Sequence, residues 1–343
     1  MLRALRDGFR SLGRNWGLVL LVLAVNLGLA LVLAVPLAAQ LEGDLAHTGA
    51  SGAMMYGFDY EWWSAWSDDQ RGLPASFTPD IFGTGFASRN LDLLLRGFLP
   101  AGAFPDGGAG GRERDGGSTR PEVDPLILGF GVLYLLVQTF LTGGLLGVFR
   151  APQGGWTFRG LVHGSGFYFG RLVRVSLLAL GLAGIVFALN VPFARWVDAL
   201  GREAVSGRTA LLLGLGRHAL LLLALLLVHM VASFARVIVV QEERRSAVLA
   251  LLSSAGFCVR NAFAAFGQYA TVVVAAVLLL ASWAAFDARF GVVGWKTQLV
   301  ALAFFQGFLL VRIALRLGLL ASQLELYRAR AGLTAPTGPA TDQ

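Results

Sequence analysis

Six runs of about twenty apolar residues constrain this chain more than any other feature. A hydrocarbon core about 30 Å thick is crossed by roughly 20 helical residues. Runs at 17 to 39, 126 to 149, 173 to 193, 210 to 234, 268 to 286 and 297 to 320 meet that length. In lipid every backbone N–H and C=O must be satisfied within the protein, and the alternating pattern of a barrel strand is absent, so each run is predicted to be a helix. Composition agrees: 56% of the residues are apolar, 14% are charged and the mean hydropathy is +0.65. A soluble domain carries far more charge than this.

The placement of charge predicts orientation. Of 28 basic residues all but Lys296 are arginine, and they sit beside the apolar runs rather than in one basic patch, which speaks against a nucleic-acid partner. Residues 1 to 16 hold Arg3, Arg6, Arg10 and Arg14 against Asp7. Residues 150 to 172 hold Arg150, Arg159 and Arg171 with no acid, and residues 235 to 267 hold Arg236, Arg244, Arg245 and Arg260 against Glu242 and Glu243. Residues 40 to 125, by contrast, carry 13 acids and 6 arginines. Arginine-rich short loops stay in the cytoplasm, so both termini are expected inside a bacterial cytoplasmic membrane. The first run is followed by "AVPLAAQ", which imitates a signal cleavage site, but a signal's apolar core is only 7 to 15 residues long. An uncleaved span is expected there.

The expected organisation has four parts. Residues 1–39 are a cytoplasmic N-terminus with the first span, 40–125 an acidic extracytoplasmic segment, 126–331 a five-span membrane domain and 332–343 a flexible tail. Within the acidic segment, "MMYGFDYEWWSAWSDD" (54 to 69) mixes aromatic rings with acids, the composition of an interfacial anchor. Thr78, Pro79 and Asp80 form a helix start for an outer surface helix. "GAFPDGGAGGRERDGGSTRPEVD" then reads as a flexible linker.

Shifted by 90 residues against itself, the chain matches "LVHGSGF" (161 to 167) with "LLSSAGF" (251 to 257). Each segment follows a span and leads through an arginine into the next, so the repeated unit is span, short inner helix, span. Val248, Leu251, Leu252, Ala255, Val259 and Phe263 recur at helical spacing, which predicts an amphipathic helix in the cytoplasmic interface. The expected fold is therefore all-α and integral to the membrane, with six transmembrane helices and two cytoplasmic-side amphipathic interfacial helices.

"FLTGGLLGVFR", "FRGLVHGSGFYFGRLVRV", "ARVIVVQEERRSAVLALLSSAGFCVRN" and "LASQLELYRARAG" carry a family resemblance. In these stretches the chain resembles six-span bacterial membrane proteins related to the membrane domain attached to some glycerophosphodiester phosphodiesterases. The resemblance covers roughly the C-terminal two thirds and implies a membrane scaffold. It transfers no catalytic residue, because no phosphodiesterase catalytic segment accompanies it.

Catalytic signatures are missing: H-E-x-x-H, G-x-S-x-G, G-x-x-x-x-G-K-[ST] and a cysteine pair do not occur. No enzyme activity, cofactor or metal is expected. Gly164, Gly166 and Gly170 around His163 imitate a phosphate loop, but a span without an acid follows, so close helix approach is the better reading. Cys258 reads as a packing residue.

Two sets of candidates remain. His218, Leu222, Leu225, His229, Ala232 and Arg236 fall on one helical stripe about 27 Å long, so His218, His229 and Arg236 form a candidate polar track for a proton, an anion or a lipid headgroup. Arg150, Arg171, Arg174, Arg244, Arg245, Arg260, Arg312 and Arg316 are candidate contacts to anionic lipid. The expected partners are the bilayer, anionic lipid and another membrane protein. A non-enzymatic scaffold is the leading functional expectation, a transporter or permease subunit the alternative, and a lipid-processing enzyme the third reading.

Overall fold

A computed structural model of the chain describes residues 1–46, 48, 52, 58–70, 72–77, 91, 125–151, 156–204, 206–289 and 295–332. The Thr78 to Asp80 helix start, the glycine-rich linker and the tail beyond residue 332 lie outside these residues. Among the described residues there is no strand, and the helices are α1 (Leu2–Arg14), α2 (Gly17–Leu45), α3 (Tyr60–Asp69), α4 (Pro125–Arg150), α5 (Phe158–Glu203), α6 (Gly207–Gln241), α7 (Ala247–Arg260), α8 (Ala262–Asp287) and α9 (Trp295–Ala331). Six of them, α2, α4, α5, α6, α8 and α9, are long and apolar enough to cross a membrane. The chain is an all-α, multi-pass membrane protein.

Side chains at the helix starts satisfy backbone N–H groups that a first turn leaves without partners. Thr157 Oγ1 accepts from the N–H of Gly160, Ser206 Oγ from that of Arg208, and Ser246 Oγ from that of Leu249. Two helix junctions share one device. Asn15 ends α1 with φ −117° and ψ 37°, and Asn261 ends α7 with φ −120° and ψ 32°. In each case the side-chain amide donates to the carbonyl four residues back, at Ser11 and at Phe257. The chain turns there and starts α2 and α8.

The segment 161 to 172 differs from expectation. No such break separates it from the third span, and α5 runs unbroken for 46 residues, about 69 Å at 1.5 Å per residue. Nothing between Leu172 and Val173 removes a backbone donor or caps a helix, so the ladder continues.

The chain divides into two compact units, Met1–Leu31 with Tyr134–Gln343, and Val32–Leu133. In the smaller one, Asp59 caps α3 by accepting from the N–H of Trp62, Trp66 Nε1 donates to Asp44, and Trp62 stacks on Trp66 at 5.4 Å. In the larger one, three short helical segments dock on the C-terminal halves of three spans through small residues. A methyl at Gly8 of α1 would lie 2.5 Å from Cα of Ser322 on α9, and one at Gly144 of α4 would lie 2.5 Å from the carbonyl oxygen of Leu161 on α5. The third docking is polar: Ser254 Oγ of α7 donates to the carbonyl of Val231 on α6 at 2.6 Å. Without a hydrophobic drive between helices in lipid, such close approach supplies the dispersion contacts that hold a bundle together. Two of the three units are the predicted echo. The third joins α9 to α1 and α2, from opposite ends of the sequence.

Candidate functional site

Small and polar residues leave a cavity of about 160 Å³ among α2, α4, α6 and α9. Its polar wall comes from Gln138 and Thr142 of α4, His229, Ser233 and Arg236 of α6, and Arg316 and Gln323 of α9. Val22, Leu145, Ile313 and Leu317 close the apolar side. His229, Ser233 and Arg236 are four and three residues apart, which puts them on one face of α6, and the same spacing logic brings Arg316 and Gln323 together on α9.

Hydrogen bonds fix most of this wall. Gln138 Nε2 donates to Asn26 Oδ1 at 2.6 Å, and Gln138 Oε1 accepts from Arg316 Nη1 at 3.0 Å. Thr142 Oγ1 donates to the Gln138 carbonyl. Ser233 Oγ donates to Gln323 Oε1 at 2.6 Å, and His229 Nδ1 shares a hydrogen bond of 3.3 Å with the Tyr269 hydroxyl. Among the described residues, two buried donors of this wall have no acceptor. They are Arg236 Nε and Gln323 Nε2. Gln323 is fully buried, whereas His229 and Arg316 stay exposed, so the cavity opens on their side.

Among the described residues no carboxylate lines the cavity. A guanidinium does not shed its proton in a protein, so both arginines hold their charge there. Both guanidiniums line the one cavity.

The predicted stripe is divided by the structure. His229 and Arg236 belong to the cavity, but His218 lies elsewhere, with its Nε2 2.9 Å from Arg217 Nη2, and Arg217 pairs with Asp198 at 3.6 Å. Arg316 joins the cavity. Of the remaining candidate arginines, Arg150, Arg171, Arg244 and Arg260 are used internally. Arg150 Nη1 donates to Glu243 at 2.6 Å and to the Tyr168 hydroxyl, Arg171 donates to the Glu243 carbonyl, and Arg328 donates to the Arg150 carbonyl. Arg244 is paired with Glu242, which also accepts from Tyr327, and bonds Ser253 Oγ; Arg260 Nε donates to the Gly256 carbonyl. Glu243 sits at φ 54°, a left-handed conformation uncommon for a side-chain-bearing residue. Its two arginine partners hold it there. Arg174, Arg245 and Arg312 stand away from the cavity wall.

Sequence reading missed Gln138 and Gln323. For Gln138 an amide inside an apolar run was the available signal, because intramembrane amides are retained for hydrogen bonds between helices; Gln323 lies just past the last run. Among the described residues no group of three His, Cys, Asp or Glu side chains is placed to hold a metal ion. Comparison with protein families, curated proteins and solved structures finds no match.

Proposed function

We propose that the chain is a non-enzymatic component of a bacterial cytoplasmic membrane, a scaffold that engages anionic lipid and a membrane partner at its arginine-rich end, with both termini in the cytoplasm. One observation carries this reading. Helix α7 has 14 residues, too few to cross a bilayer, yet Val248, Leu252 and Val259 line one exposed face, Val259 being 78% accessible. Arg245 and Arg260 are exposed beside it. An apolar face flanked by arginines fits the boundary between acyl chains and phosphates. The resemblance to the membrane domains of glycerophosphodiester phosphodiesterases supports the same reading.

The test is mass spectrometry of the protein extracted with its native lipid. Arg245→Gln with Arg260→Gln should lower the anionic lipid that stays bound, and Arg244, being paired internally, is left in place. Unchanged lipid content removes this reading. The cavity favours a second one, a permease subunit. Liposomes showing no anion or proton flux, in the native protein and in His229→Ala alike, would dispose of it.

A further inference from the structure

We propose that the cavity among α2, α4, α6 and α9 is a binding site for one oxyanion, of phosphate type, held between Arg236 and Arg316. The proposal rests on the cavity and on neither reading of the whole protein.

Three observations converge. The first is charge: two guanidiniums enter one cavity that no carboxylate among the described residues lines. Arg236 is half-buried and Arg316 is open on one side, and a charge partly withdrawn from water is less costly when an opposite charge matches it. Histidine or lysine would escape by releasing a proton, but arginine cannot. The second is the direction of the hydrogen bonds. Gln138 and Ser233 spend their acceptor and donor groups on neighbours, in a chain from Arg316 through Gln138 to Asn26 and in the bond from Ser233 to Gln323. What remains unpaired and buried is donors, Arg236 Nε and Gln323 Nε2. A group offering only acceptors, with negative charge, completes such a site, and arginine pairs bind phosphate and carboxylate oxygens through their forked geometry. The third is size. A cavity of about 150 Å³ takes up benzene, so one of about 160 Å³ holds a phosphate group.

Phosphate oxygens could arrive on a free anion or on a lipid headgroup. The opening beside His229 and Arg316 serves either source, and the experiment separates them. Equilibrium dialysis of the purified protein against radiolabelled inorganic phosphate forms one arm. Native mass spectrometry after reconstitution in nanodiscs of phosphatidylglycerol or of phosphatidylcholine forms the other. One phosphate per chain identifies a free anion. One retained phosphatidylglycerol without phosphate uptake identifies the headgroup. In either case Arg236→Gln and Arg316→Gln should each weaken binding roughly 10- to 100-fold, the range for a charge-assisted hydrogen bond, while Arg208→Gln, at the exposed start of α6, should leave it unchanged.

Folding is checked by a thermal melt in the absence of anion. Arg316→Gln removes one of the two charges together with the hydrogen bond to Gln138, so its melt should stay cooperative, and the ligand raises the melting temperature of the native protein alone. If Arg236→Gln fails to fold, Arg316→Gln carries the same expectations from a different helix. No uptake in either arm, or uptake that both variants retain, overturns the proposal and leaves a water-filled pocket.

Discussion

Cys258 is 4% exposed on the buried face of α7, next to Phe257, whose ring packs on Phe234 and Tyr327. Burial pushes its thiol up to about 11 from an ordinary value near 9, and a hydrogen bond with Ser254 opposes this in part. Since the thiolate is the reactive form, a maleimide at neutral pH should leave the folded protein unlabelled and label it once denatured. The stability consequence has a definite sign. Below pH 9 both states hold the proton and the contribution is complete; between pH 9 and 11 the unfolded chain releases the proton first, so stability falls. A melt that Cys258→Ser renders flatter across that window checks it. This residue was legible as a packing cysteine. Gln138 and Gln323 were not, because a neutral amide within an apolar run or just past its end disturbs neither the charge pattern nor the helical period by which His229 and Arg236 stood out. Arg316 reads from the sequence as a lipid contact, because position along an apolar run does not tell an arginine at a cavity from one at a phosphate layer. Only the packing of α4 against α9 turns it inward.

Among the elements, α1 is the one whose position no local pattern announces. Ala4, Leu5, Gly8 and Leu12 form its buried face, while Arg3, Arg6 and Arg10 stay exposed. Gly8 lies against Ser322, and the ring of Phe9 occupies the space above Gly318. Gly8→Leu should therefore lift α1 from α9 at an overpacking cost of about 1 to 3 kcal/mol. Hydrogen exchange at the amides of α1 should speed up, with those of α5 unchanged. Equal protection in variant and native protein would show that the glycine contact does not hold α1. The two-copy repeat was visible because its halves follow one another in sequence. Its third copy was hidden because its span is last and its short helix first, so no shift of the chain along itself aligns them. The Asn15 and Asn261 junctions are its trace in the sequence, each asparagine preceded by an arginine.

Across the whole molecule, the spans were legible because lipid demands a long apolar helix wherever the chain crosses. Their ends were not, since α5, α6 and α9 continue past the apolar stretch into polar turns that the period alone does not bound. Orientation is accessible to labelling in a Cys258→Ser background. Arg3→Cys and Arg330→Cys should react with a membrane-impermeant maleimide only after permeabilisation, and Asp69→Cys should react in intact spheroplasts. The opposite pattern inverts the proposed topology.

The seat of α1 also sets a timetable. The helix leaves the ribosome ahead of all six spans, but Gly318 and Ser322, against which it rests, are made roughly 300 residues later. At about 5 to 20 residues per second, it waits some 15 to 60 s for them. Through that interval its apolar face has no protein to cover it, and the membrane surface is the nearest shelter. Final closure of the structure is thus coupled to synthesis of the sixth span, and a chain stalled before α9 exposes a loose amphipathic helix by which quality control could recognise it.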